Sequence, residues 1–229
     1  MMRLAAIGLI GFALLVTARA FAGVIDVPTL GGVVNVEVVS IKEARFKTVV
    51  PQRYDFSCGS AALATLLTYH YGAEVTEAQT FESMYKVGDK EKIHKEGFSL
   101  LDMKVFLASI GIKADGFEMN LDQLSNLGIP AITLIDIGGY KHFVVVKGFR
   151  DDEVLVGDPA QGIVVMPRRD FQAMWNGIAF MVRQDVEVAR SHFNDEHEWE
   201  VRTKAPFGTA LSRHGLASFT MGLPGVNEF

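Results

Sequence analysis

Apolar positions change their period along this chain. From residue 58 to 71 they recur at helical spacing: Leu63, Leu66 and Leu67 follow a start made of Gly59, Ser60, Ala61, Ala62 and Ala64, and Gly72 closes the run. Residues 76–86 and 99–110 predict two more helices. Thr76 and Ser99 suit the capping position at their starts, and Gly88 and Gly111 follow their ends. The stretch between them, 87–97, reads as a charged loop, residues 112–119 as a strand, and 121–127 as a short helix capped by Asn120. From Pro130 onward the period becomes two. Residues 131–137 and 141–149 flank Gly138-Gly139 and predict a hairpin. Residues 154–156 and 163–166 continue the strands, 169–175 predict a short helix, and 178–183 a last strand. Helices first and strands second indicate an α+β domain.

Ahead of this pattern, residues 33–39 predict a strand, and Pro51 ends a β-rich leading segment. Earlier still, Arg3 precedes an uncharged apolar stretch at 4–16, and Ala18, Ala20 and Ala22 offer cleavage sites after Ala20 or Ala22. That stretch is shorter than the ~20 residues a membrane span needs. Residues 1–22 therefore predict a signal peptide and an exported chain, with an uncleaved anchor as the rival reading. The domain map is then 1–22 signal peptide, 23–47 linker and strand, 48–183 the folded domain, and 184–229 a C-terminal extension. The charged part of that extension, 184–200, suggests a solvated helix.

Composition narrows the picture. The 229 residues are 49% hydrophobic and 21% charged, enough for one well-filled core. A net charge of −5 with no basic run argues against a nucleic-acid partner. The single cysteine, Cys58, permits no intramolecular disulfide. A lone thiol in an oxidising compartment is a liability unless it is buried or used.

The sequence around Cys58 favours use. In Gln52-Arg53-Tyr54-Asp55-Phe56-Ser57-Cys58-Gly59 the thiol sits where a loop meets a predicted helix N-terminus. Unpaired N–H groups and the helix dipole favour negative charge there, and the thiolate is the working nucleophile. Gln52 can turn its amide toward the same point and, with the Cys58 N–H, form a two-donor oxyanion hole. A base is needed. His142 opens the apolar run 143–146; His70 lies about 18 Å along the helix from Cys58; His94 sits in the charged loop. An orienting acceptor is needed as well. Asp158-Pro159 follows the strand at 154–156 and can sit beside His142, with Asp136 and Asp151 in reserve.

Gln52 and Cys58-Gly59, then His142 before an apolar strand, then Asp158-Pro159, resemble the bacteriocin-processing or double-glycine leader peptidases across residues 48–183. The resemblance implies a papain-like α+β fold, with Cys58 as nucleophile, His142 as base, Asp158 as orienting acid and Gln52 as oxyanion donor. No cofactor or metal is implied. His192 and His197 lack strong ligand spacing and read as a solvated face. The chain departs from the family's transporter-borne members: it has no glycine-rich phosphate loop and no transmembrane bundle in the mature chain, and it carries a signal sequence. Stand-alone exported members attached to functional-amyloid secretion imply a periplasmic role. Their partner would be a peptide or protein substrate, a secreted fibril subunit or a secretion-system component. A peptide-binding module without turnover and an acyl transferase are the alternatives.

Overall fold

The computed structural model describes residues 40–201. The expected signal peptide, the strand at 33–39 and the end of the C-terminal extension lie outside the described residues. Along the chain come α1 (Ile41–Arg45), α2 (Cys58–His70), α3 (Glu77–Val87), α4 (Lys90–Glu96) and α5 (Leu100–Ser109). Then follow β1 (Ala114–Glu118), α6 (Leu121–Leu127), β2 (Ala131–Ile137), β3 (Tyr140–Arg150), β4 (Glu153–Asp158) and β5 (Gly162–Pro167). Last are α7 (Arg168–Met174), β6 (Trp175–Val182), α8 (Val186–Ser191) and α9 (Glu196–Glu200). The strands form one antiparallel sheet in the order β1-β6-β2-β3-β4-β5. The α+β expectation therefore holds.

Alternate residues of β3 divide between two apolar clusters. Phe143 and Val145 pack with Leu63, Leu66 and Phe180; Val144 and Val146 pack with Leu124, Phe171 and Met181. Both faces of the sheet are covered, which is why 143–146 reads as an unbroken apolar run. Helix α2 approaches the sheet closely because its first turns carry small side chains, and Ala61, Ala62 and Ala64 are fully buried. At Gly59 the fit is tightest: a Cβ there would stand 3.0 Å from Met103 Cε and 3.1 Å from Phe98 Cβ. Helices α3, α5 and α6 start at the expected residues. Thr76, Ser99 and Asn120 each form a capping box with Gln79, Asp102 and Gln123.

Three expectations change. Residues 41–45 form a helix instead of belonging to a β-rich segment. The stretch 87–97 contains α4, opened by Asp89 Oδ1, which accepts from the Glu91 and Lys92 N–H groups at 3.1 Å, and closed by Gly97 at φ 78°. Ile93 is the buried residue of α4, so the helix leaves no apolar period to read. The charged stretch 184–200 is not simply solvated. It forms α8 and α9, and Ala189, Glu198 and Trp199 are buried. The physical reason lies on β3. Lys147 is fully buried, and Glu198 is the carboxylate that pairs with it. Among the described residues, no helix is long and apolar enough to cross a membrane.

Candidate active site

Cys58 is the first residue of α2 and is buried. The turn before it is tight. Ser57 N–H and Ser57 Oγ–H both donate to the Tyr54 carbonyl, at 3.1 and 3.0 Å, and Ser57 Oγ accepts from Tyr54 N–H at 3.1 Å. Ser57 is thus occupied with the loop and makes no side-chain cap on the helix. The first intrahelical bond runs from Ala61 N–H to the Ser57 carbonyl. The N–H groups of Cys58 and Gly59 have no acceptor within the helix and lie at its positive end.

His142 and Asp158 meet in the interior. Val145 faces Gly157 across β3 and β4. Carrying that register one step puts Asp158 on the same side as Val144 and His142. His142 Nε2 lies 2.8 Å from Asp158 Oδ1, and the two residues are 3% and 4% exposed. Asp158 is itself held by the turn that follows it: Oδ1 accepts from Ala160 N–H at 2.7 Å, and Oδ2 from Gln161 Nε2 at 3.2 Å. Burial, the largest influence, raises the Asp158 carboxyl, but the hydrogen bond and charge of His142 and the turn's N–H groups outweigh it. The pKa lies below the usual aspartate value. An ionised carboxylate only accepts, so Nε2 carries the proton and Nδ1 is left for Cys58.

The thiol's contact with the ring is looser than an ordinary hydrogen bond, since Nδ1 has no partner of good geometry. Cys58 is nonetheless near enough to act on the ring. Burial, again the largest influence, lowers the His142 pKa. The hydrogen bond to Asp158 first, then the proximity of the Cys58 thiol, with the charges of both, reverse this and raise it to about 9. Loose contacts of this kind are common in resting sites.

Gln52 ties the two halves of the site together. Its N–H donates to the Pro159 carbonyl at 3.0 Å, beside Asp158, while its side-chain Nε2 donates to the Tyr54 carbonyl at 3.1 Å. That carbonyl fixes the amide's orientation, because a flip would set two acceptors against each other. Gln52 Oε1 is buried without a partner.

The other candidates form no bond to the His142–Asp158 pair, although His94 lines the same cavity as Cys58. His70 ends α2, deeply buried against the His192 ring, and burial together with Lys147 and His192 holds its pKa well below the usual value. His94 is bonded through Nε2 to the Tyr85 hydroxyl at 2.9 Å. Asp136 caps Gly139 N–H at 2.6 Å, and Asp151 sits in the β3–β4 turn at φ 49°. His197 pairs with Glu200 at 3.6 Å.

Cys58 opens onto a cavity of about 910 Å³. Phe56, Phe98, Leu134, Phe143 and Ile178 give it apolar walls, and Lys92, Lys95 and Lys141 stand among its polar lining. Sequence reasoning missed Tyr140, which lines the same cavity. Its ring stacks on that of His142 with centroids 5.9 Å apart. The available signal was its position two residues before His142 on one strand, which puts both side chains on one face.

Residues 47–187 match the peptidase C39 family. The probable functional amyloid protease FapD of Pseudomonas fluorescens is 42% identical over 171 residues, 74% of this chain and 76% of that protein. Its namesake in Pseudomonas aeruginosa is 44% identical over the same shares. Among solved structures, the peptidase domain of Streptococcus ComA, a bifunctional ABC transporter involved in a quorum sensing pathway, aligns with a TM-score of 0.51 at 25% identity. The alignment covers 59% of this chain and 96% of that one.

Proposed function

The chain belongs to the peptidase C39 family and is a cysteine peptidase, and from that premise we propose that Cys58, His142, Asp158 and Gln52 cut an exported protein or leader peptide. His142 Nδ1 takes the Cys58 proton, and the sulfur attacks the substrate carbonyl carbon. Gln52 Nε2, through the N–H not committed to Tyr54, and the Cys58 N–H hold the resulting oxyanion. Collapse breaks the C–N bond as the imidazolium returns its proton to the leaving amine. Water, deprotonated by His142, then hydrolyses the thioester and restores the thiol. Asp158 fixes the ring's orientation throughout. The observation that carries this reading is the buried 2.8 Å His142–Asp158 bond, which leaves Nδ1 free on the side of Cys58.

The names of the two Pseudomonas relatives, probable functional amyloid proteases, support an amyloid-forming protein as the substrate class. The likeness to double-glycine leader peptidases supports cleavage after small residues. Residues 1–22 support export, with the periplasm as the site of action. Purified chain is tested on peptides carrying Gly-Gly or Gly-Ala before the cut bond. Cleavage by the wild type and none by Cys58→Ala is expected; equal turnover by both overturns the mechanism. A binding module would hold the peptide equally well in both proteins and cut it in neither. Sequencing the exported protein checks the signal: a start at Phe21 or Gly23 is expected, and an intact N-terminus contradicts cleavage.

A further inference from the structure

The β2–β3 hairpin turns through Gly138 and Gly139, both at positive φ, with Ile137 facing Tyr140 across it. The turn places Tyr140 as the first residue of β3, two before His142. Period-two geometry sets both rings on one face, and they stack at 5.9 Å with 26° between planes. The tyrosine hydroxyl reaches the other way and donates to the Asp55 carbonyl at 2.8 Å. Asp55 lies in the tight turn that delivers Cys58 to the start of α2. One side chain therefore spans from the strand that carries the base to the loop that carries the nucleophile.

We propose that Tyr140 is a positioning residue for the Cys58–His142 pair: its hydroxyl pins the Cys58 turn to β3 while its ring holds the His142 imidazole in plane. The inference rests on the reading of Cys58 and His142 as nucleophile and base. Three further observations agree with it. Tyr140 is 49% exposed, so a core role does not account for its placement. Its hydroxyl stays a donor across the working pH range, since burial, then the charges of Cys58, Asp55 and Asp158, hold its pKa above the usual tyrosine value. The Nδ1–sulfur contact has no hydrogen bond of good geometry to maintain it. Something else must fix the distance between nucleophile and base, and the Tyr140–Asp55 bond joins the two segments that bear them.

The test is the rate of Cys58 alkylation by iodoacetamide at pH 6, measured in the full chain for wild type, Tyr140→Phe and Tyr140→Ala, each with His142 present and with His142→Ala. With His142 present, Tyr140→Phe should slow alkylation roughly three- to tenfold, the rate equivalent of one ordinary hydrogen bond. Tyr140→Ala, which also removes the ring, should slow it further. In the His142→Ala background both changes should have no effect, because the pair through which Tyr140 acts is gone. Equal rates for wild type and Tyr140→Phe overturn the proposal, as does the same slowing in both backgrounds, which would mark a general structural effect. If His142→Ala itself leaves alkylation unchanged, the pairing of Cys58 with His142 fails first and the proposal falls with it, a result distinct from the other two.

Discussion

His142 sets the pH range of the site. Its pKa is raised to about 9 although burial alone would lower it, and the first of the groups that raise it is Asp158. In the proposed mechanism the imidazolium gives its proton to the leaving amine, so activity should fall as pH rises through about 9, where that proton is lost. Asp158→Asn should move this alkaline limb of kcat/KM to lower pH; an unmoved limb contradicts the role given to Asp158. The same shift has a stability consequence. A histidine with a raised folded pKa contributes fully below its unfolded value of 6.5, and the contribution is lost as pH climbs to about 9. Urea unfolding should therefore show a larger cost of Asp158→Asn at pH 6 than at pH 10. Gln52 offers a separate check: Gln52→Ala should lower kcat by about 10²-fold with little change in KM, as for other single oxyanion donors. A change in KM alone would make Gln52 a binding residue. The His142–Asp158 pair and the place of Cys58 at a helix start were legible because they depend on residue type and order. Tyr140 was not, because its partner Asp55 is distant in sequence and the bond uses a backbone carbonyl that no sequence pattern marks.

Among the elements, β3 carries more than the base. Its register against β4 shifts between Val146 and Gly148. Into that irregularity comes Asn194, which donates its N–H to the Lys147 carbonyl at 2.9 Å and accepts from Phe149 N–H at 2.6 Å. Gly148 is required here, since a Cβ would meet Asn194 Oδ1 at 2.1 Å. Lys147 Nζ bonds Thr48 O at 2.9 Å and Thr48 Oγ1 at 3.1 Å, and pairs with Glu198 from α9. Glu198→Ala leaves a buried ammonium without its counter-charge and should cost about 3–5 kcal/mol in chemical denaturation. Lys147→Met combined with Glu198→Leu should recover most of that loss. A cost under about 1 kcal/mol for the single change would mean the pair is solvated. Strong capping boxes and the two-glycine hairpin made α3, α5, α6, β2 and β3 readable from sequence. Helices α1 and α4 were not, being five and seven residues long with little buried surface. Glu198 stayed hidden because a buried ion pair looks, in sequence, like two surface charges.

At the scale of the molecule, one antiparallel sheet is covered on both faces, and the site forms where the start of α2 meets the ends of β3 and β4. Cys58 sits on a helix and His142 and Asp158 on adjacent strands, so the proposed triad would not depend on a long loop. The α+β layout was legible because helical period dominates before residue 130 and period 2 dominates from there to residue 183. The strand order was not, since β6 returns to lie between β1 and β2, and nothing local to β6 specifies that neighbour. The central claim is that turnover runs through a single sulfur, and the chain holds a single cysteine. Titrating the enzyme with iodoacetamide, while following peptide cleavage and intact mass together, tests it directly. Activity should fall in proportion to the fraction of chains carrying one carbamidomethyl group and vanish when all carry it. Cleavage that survives complete alkylation would contradict Cys58 as the nucleophile.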